Sequence, residues 1–322
     1  MISQALRSNP IRRALELHTN RHIISIKDFS REQIEEILKL SRSMESRRDR
    51  SLEGRVMATL FFEPSTRTRL SFEAAMLQLG GQVLGFADGN VSSAKKGETL
   101  SDTIRMVTSY ADVIVIRHPL EGAARLASEV ASVPVINAGD GANQHPTQTF
   151  LDLYTIWRWH PDILNDSEPL TIAFLGDLRY GRTVHSLIIA LSLFKVSFKF
   201  ISPPSLRLPD TYLSYLREKG IPYVEGESLQ DAVRDVDILY ATRIQEERFP
   251  DPIEFMRVRS VYRLKIDDLE HSRPGFKILH PLPRVGEIDT SVDAHEAAVY
   301  FSQASNGVPV RKALLSMLLK AL

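Results

Sequence analysis

The chain has 322 residues, 43% hydrophobic and 25% charged, a globular composition long enough for two domains with real cores. Lys+Arg 40 against Asp+Glu 40 leaves no net charge, which argues against a general nucleic-acid or acidic-membrane binder, since those need a basic excess. With no cysteine there is no disulfide, thiolate nucleophile or cysteine zinc site within it. No apolar run reaches membrane-spanning length, and Met1 to Arg21 lacks the continuous apolar core of a secretory signal. A cytoplasmic protein is therefore expected.

Residues 22–28 read as a short strand or extended arm. Ser30 looks like an N-cap with Gln33 three residues on, ahead of Ile34, Ile37, Leu38 and Leu40 at helical spacing. Residues 55–62 form a continuous apolar run, the pattern of a buried parallel strand. A helix follows, with Leu70, Phe72, Ala75, Met76 and Leu79 on its periodic positions and Gly80-Gly81 at its end. A short strand at 83–86, a polar loop at 87–98, a helix at 100–110, a strand at 111–117, a helix at 121–130 and a strand at 133–138 continue the alternation. This is the pattern of right-handed βαβ units.

A long aromatic helix at 147–160 leads to a polar, proline-punctuated loop, after which the alternation restarts. Strands are predicted at 171–176, 196–202, 221–224, 236–242 and 276–280, and helices at 183–195, 210–219, 229–235 and 291–299. An amphipathic helix, 311–322, could return to either half. The fold class is α/β: two doubly wound parallel-sheet (Rossmann-like) domains joined by long helices. The boundaries are taken as 1–147 and 148–303, with 304–322 packing back on the first domain.

The polar constellations sit where these strands end. Ser65, Thr66, Arg67, Thr68 and Arg69 occupy a strand-to-helix turn. Helix-start amides lack intrahelical acceptors and favour an anion, hydroxyls add donors, and Arg67 or Arg69 adds a planar fork suited to phosphate. The loop Ser92 to Glu98, taken alone, reads as solvated. Arg117 follows a core strand at the crevice edge of a parallel sheet, as a ligand group or a salt-bridged strand end. His145 and Gln148, three apart at a helix start, can face one ligand. Gly176 to Thr183 is a strand, a turn and a helix start. It lacks the Gly-x-Gly-x-x-Gly and Gly-Lys-Ser/Thr patterns, so nucleotide readings are rejected and Arg182 remains, presented at a helix start and suited to a carboxylate. Arg243 and Gln245 end another strand, ahead of a charged lid-like loop. His280-Pro281-Leu282-Pro283-Arg284 ends the last strand, where proline removes amide donors and leaves carbonyl acceptors. No strand end carries an acidic cluster for a metal. The implied chemistry is transfer of an acyl-type group from an activated phosphate to a small anion, with no cofactor.

Seven segments in order, Ser65 to Arg69, Lys95 to Thr99, Arg117 to Pro119, His145 to Gln148, Gly181 to Thr183, Arg243 to Gln245 and His280 to Pro283, resemble the carbamoyltransferase family, on its aspartate-using side. The resemblance runs from about His22 onward. It implies carbamoyl phosphate and L-aspartate as substrates and N-carbamoyl-L-aspartate and phosphate as products, the committed step of pyrimidine synthesis. It assigns Ser65, Thr66, Arg67 and Thr68 to the phosphate, and Thr68, Arg117 and His145 to the carbamoyl oxygen. Gln148 and the carbonyls of Leu282 and Pro283 go to the carbamoyl amide and incoming amine, and Arg182, Arg243 and Gln245 to the aspartate carboxylates. It further implies a homotrimer in which Ser92 and Lys96 reach the adjacent subunit's site, and a closed form in which Glu63 pairs with Arg182 and Arg248. The helix 121–129 resembles a surface for a separate zinc-containing regulatory chain. The ornithine-using branch carries cysteine in its His-Cys-Leu-Pro segment; here the position is Pro281, and Arg243 would repel a cationic acceptor.

Overall fold

The computed structural model describes residues 21–89, 97–244 and 261–320. The chain divides into two compact units, 1–154 with 306–322, and 155–305.

In the first unit, strands β1 (Val56–Phe61), β2 (Gln82–Phe86), β3 (Val113–His118) and β4 (Val135–Asp140) form one sheet in the order β2-β1-β3-β4, with every pairing parallel. β1, β3 and β4 are almost wholly buried. Covered on both faces, a central parallel strand has no polar side to show, which is why β1 and the first four residues of β3 read as near-continuous apolar runs. Ala58, Leu60, Ile114, Ile116 and Val135 pack into one core there. The register shifts between Ile116 and His118, so Asn137 pairs with Ile116 while Asp140 pairs with His118. That bulge re-aims the residues at the strand ends.

Helix α1 (Arg31–Ser43) starts on the expected capping box: the Ser30 hydroxyl accepts from the Gln33 amide at 3.3 Å, and the Ser30 amide donates back to Gln33 at 2.9 Å. The sheet's helices are α2 (Thr66–Gln78), α3 (Leu100–Val107) and α4 (Ala123–Val130). The segment predicted as an arm at 22–28 does both things locally. Ile23 bridges β4 at Ile136, and Ile26–Asp28 then turns as a 3-10 helix capped by Ser25.

Helix α5 (Pro146–Trp159) holds the boundary between units, seven residues later than the expected 147/148 division. Its first half buries Phe150 edge-on against Phe29 at 5.1 Å, and Tyr154 hydrogen-bonds the Glu45 carboxylate. Residues 148–154 therefore belong with the first unit's core.

The second unit's sheet contains β5 (Leu170–Leu175), β6 (Val196–Ile201), β7 (Tyr223–Gly226), β8 (Ile238–Ala241) and β9 (Lys277–Leu279), in the order β7-β6-β5-β8-β9 and all parallel. Alternation along the strands gives the faces different linings. Ala173, Leu175, Leu239, Ala241 and Ile278 join an aliphatic core, while Phe174, Phe198, Phe200 and Tyr240 stack on the other side with centroids 5.6 to 5.9 Å apart. Among the described residues its further helices are α6 (Arg182–Leu191), α7 (Asp210–Glu218) and α8 (Tyr300–Ser305).

Two predicted helices are shorter or displaced. At 229–235 there is a 3-10 turn, Leu229–Ala232. At 291–299 a 3-10 turn, Thr290–Ala294, ends before the chain pairs with β9 through Ile278 and Ala298. The Ile278 amide donates to Ala297 at 2.7 Å, and the Val299 amide donates to Ile278 at 3.1 Å. Strand pairing outbids the helical pattern, and the helix waits until Tyr300. The terminal helix α9 (Gly307–Leu318) is buried nearly all round, packing on α1 and α2. Lys312 reaches the end of α1 and donates to the Met44 carbonyl at 3.1 Å.

Candidate functional site

In the first unit, the segments after β1, β3 and β4 leave one edge of the sheet, the edge where open α/β sheets hold ligands. β1 runs through Phe62-Glu63-Pro64 into Ser65, the N-cap of α2. Ser65 is extended, with φ −156° and ψ 95°, and its hydroxyl makes no capping bond. The hydroxyl is not spent on the helix. Thr68, one turn in, is buried. The two candidate arginines separate cleanly: Arg69 pairs with Glu73 at 3.6 Å along the helix, whereas Arg67 makes no ion pair among the described residues. Partial burial and the nearby Arg117 cation both push the Arg67 guanidinium down. Two cations held close together is a repulsive arrangement that an anion relieves.

Arg117 sits at the end of β3, where its carbonyl accepts from Phe62 at 2.8 Å. Burial lowers its guanidinium, and Glu63 acts against that. Glu63 Oε1 lies 2.7 Å from Arg117 Nε, an ion pair. Nη1 donates to the Ala138 carbonyl at 3.3 Å.

After β4, the turn carrying His145 is braced by buried Asp140. Its carboxylate accepts from the Asn137 side chain at 2.9 Å, the Gln144 amide at 3.1 Å, the Gly122 amide at 2.9 Å and the Asn143 side chain at 3.0 Å. Gly141, at φ 55°, makes the turn; a Cβ there would lie 2.8 Å from the Pro119 carbonyl. His145 and Gln148 are both buried. Thr147 Oγ1 lies 3.4 Å from His145 Nδ1, and Gln148 Nε2 donates to Asp152 at 2.9 Å.

The second unit repeats the logic with different side chains. Gly176 follows β5 at φ 111°, and a Cβ would lie 2.5 Å from the Thr242 carbonyl. Asp177 Oδ1 accepts from the Arg179 and Tyr180 amides at 3.1 and 2.9 Å, closing the turn that delivers Arg182 to the first position of α6. Thr242, after β8, donates its hydroxyl to the Leu175 carbonyl at 3.0 Å, which ties the segment bearing Arg243 to the end of β5. After β9 the Leu282-Pro283 bond is cis, and Leu282 has φ 54°. The Leu282 amide donates to His280 Nδ1 at 2.8 Å, so Nε2 carries that ring's proton and gives it to Glu287 Oε1 at 2.7 Å. The His280 amide donates to Gln303 at 2.8 Å.

Among the expected site residues, Ser65, Thr66, Arg67, Thr68, Arg117, His145 and Gln148 thus share one sheet edge in the first unit. Arg182, Arg243, Leu282 and Pro283 share the corresponding edge in the second. Ser92, Lys96, Gln245 and Arg248 lie outside the described residues. The braces Asp140, Asp177 and Glu287 were missed. Asp177 among glycines is a readable turn signal, but nothing in the spacing links Glu287 to His280.

Parallel α/β units with cation-bearing turns at their strand ends define an enzyme for small anionic substrates. Residues 21–158 match the family model of the aspartate/ornithine carbamoyltransferase carbamoyl-P binding domain, and residues 168–318 match that of the Asp/Orn binding domain. The chain belongs to the aspartate/ornithine carbamoyltransferase family. It is 55% identical over 300 residues to the aspartate carbamoyltransferase catalytic subunit of Chromobacterium violaceum, covering 93% of this chain and 98% of that one. The solved catalytic subunit of Methanocaldococcus jannaschii aspartate transcarbamoylase superposes with a TM-score of 0.88 at 54% identity, covering 94% of this chain and 98% of that one. Trypanosoma cruzi aspartate transcarbamoylase in complex with carbamoyl phosphate and aspartate superposes at 0.86 and 37% identity, covering 94% and 97%.

Proposed function

We infer that the protein transfers the carbamoyl group of carbamoyl phosphate to the amino group of L-aspartate, the committed step of pyrimidine biosynthesis. The observation that carries this reading is Arg67, held beside Arg117 at the start of α2 with the Ser65 hydroxyl uncommitted. Ser65, Thr66, Arg67 and Thr68 hold the phosphate. Thr68, Arg117 and His145 donate to the carbamoyl oxygen, which becomes an oxyanion when the amine attacks. Each such donor is worth about 2.7–4 kcal/mol of barrier. For His145 the role asks for a proton on Nε2, which a Thr147 hydroxyl donated to Nδ1 supports.

Gln148 and the Leu282 and Pro283 carbonyls orient the carbamoyl amide and the amine. Arg182, Arg243 and Gln245 take the two aspartate carboxylates. The C–N bond forms as the C–O bond to phosphate breaks, and the departing phosphate accepts the amine proton. The work is orientation and charge stabilisation. Purified protein assayed with carbamoyl phosphate should form product with aspartate and none with ornithine; turnover of ornithine, or of neither, refutes the reading.

The same reading makes the working enzyme a cytoplasmic homotrimer with Ser92 and Lys96 completing a neighbour's site. The half-exposed Leu70 and the more exposed Leu77 on the outer face of α2 suit a subunit contact. Arg67→Ala and Lys96→Ala proteins, each inactive, should regain activity when dissociated and remixed; no recovery counts against shared sites. The exposed Leu120, ahead of α4, and Leu126, within it, suit docking of a separate zinc-containing regulatory chain. Among the described residues no helix is long and apolar enough to cross a membrane.

A further inference from the structure

Gln148 lies one turn before Asp152 on α5. Its Nε2 donates to Asp152 Oδ1 at 2.9 Å, and both side chains are buried. An ionised carboxylate only accepts hydrogen bonds. The amide nitrogen of Gln148 therefore faces Asp152, and its amide oxygen is the end left for a ligand. A carbamoyl group presents two different ends, an NH2 with two donors and a carbonyl oxygen. A glutamine free to rotate by half a turn could offer its nitrogen or its oxygen to either.

The C-terminal helix adds a buried cation to the same unit. Arg311 on α9 is 2% exposed. Burial pushes its guanidinium down, and the Asp152 charge acts against that. Its guanidinium carbon stands 4.9 Å from the centroid of Phe72, one turn past Thr68 on α2. Gly307 leaves room for it, since a Cβ there would lie 2.0 Å from Arg311 Nη1. One buried cation thus touches α2, the helix whose first turn carries Thr68.

We propose that Asp152 is a positioning residue that locks Gln148 with its carboxamide oxygen toward the carbamoyl NH2, and so favours a carbamoyl over an acyl donor. The proposal rests on the role given to Gln148 above. Asp152→Asn preserves shape but offers Gln148 both a donor and an acceptor, releasing the lock.

Two constants are measured: KM for carbamoyl phosphate, and the competitive inhibition constant of acetyl phosphate, which keeps the phosphate and carbonyl but carries a methyl where the amine was. In Asp152→Asn the first should rise by about tenfold, the upper end for one hydrogen bond, while the second stays within about twofold. In a Gln148→Ala background, Asp152→Asn should add nothing. General damage to the unit would move both constants together and persist without Gln148, and either result overturns the proposal. Should Asp152→Asn fail to fold, wild-type crystals with phosphonoacetamide decide. Gln148 within hydrogen-bond distance of both Asp152 and the ligand's amide nitrogen supports the lock; Gln148 turned from either overturns it. Wild-type protein that forms no carbamoyl aspartate would refute both the function and the lock, whereas unselective variants of an active enzyme refute the lock alone.

Discussion

Replacing Glu287 tests how the segment bearing Leu282 and Pro283 is held. The carboxylate is buried and serves two donors: Oε1 accepts the His280 Nε2 proton at 2.7 Å, and Oε2 accepts the Val285 amide at 2.8 Å. Glu287→Ala leaves both without an acceptor. At about 1–3 kcal/mol for each buried unsatisfied group, the loss should be about 2–6 kcal/mol. Glu287→Gln keeps one carbonyl oxygen, which can serve one donor, while its NH2 faces the other; it should cost about 1–3 kcal/mol. The function should follow, because the Leu282 amide needs His280 Nδ1 unprotonated. Without Glu287 the imidazole can carry its proton on Nδ1 and push that amide away, and kcat/KM for aspartate should fall by about tenfold, the worth of one such bond. Urea unfolding with unchanged m gives the first quantity and steady-state kinetics the second. If both variants unfold within about 0.5 kcal/mol of wild type, as ordinary surface changes do, the account of this brace is wrong.

Glu287 also predicts a pH dependence. Burial would raise its carboxyl, but the hydrogen bonds from His280 and the Val285 amide outweigh that and hold it below the ordinary glutamate range. Its stabilisation should be complete above the ordinary value and disappear as pH falls through the depressed one; acid-side melting curves of Glu287→Ala should lack that component. Gly176→Ala, with its Cβ 2.5 Å from the Thr242 carbonyl at φ 111°, should lose at least about 1–3 kcal/mol to backbone strain. It should raise KM for aspartate and leave phosphate binding to the first unit, followed by calorimetry, unchanged. Asp140→Ala removes the acceptor of four hydrogen bonds around His145. We expect it to cost about 3 kcal/mol or more and to lower kcat; a variant with wild-type kcat would show that His145 is held otherwise.

The sequence alone determined the architecture and which candidate residues stand at its strand ends. Buried parallel strands write themselves as apolar runs such as 56–61, and a strand end followed by Ser-Thr-Arg-Thr-Arg carries its anion chemistry in adjacent residues. Both signals are local, so no tertiary knowledge is needed to read them. Tertiary structure decided the rest. It gave Arg67 and Arg69 different surroundings, because Glu73 on the next turn takes the Arg69 guanidinium and Arg117, from a different strand, crowds that of Arg67. It moved a predicted helix from 291 to 300, because β9 offered hydrogen bonds that the hydrophobic pattern could not register. It also set Arg311 against Phe72, about 240 residues away in sequence. Interactions of that kind depend on which surfaces fold against each other, and the spacing of residues along one chain carries no record of it.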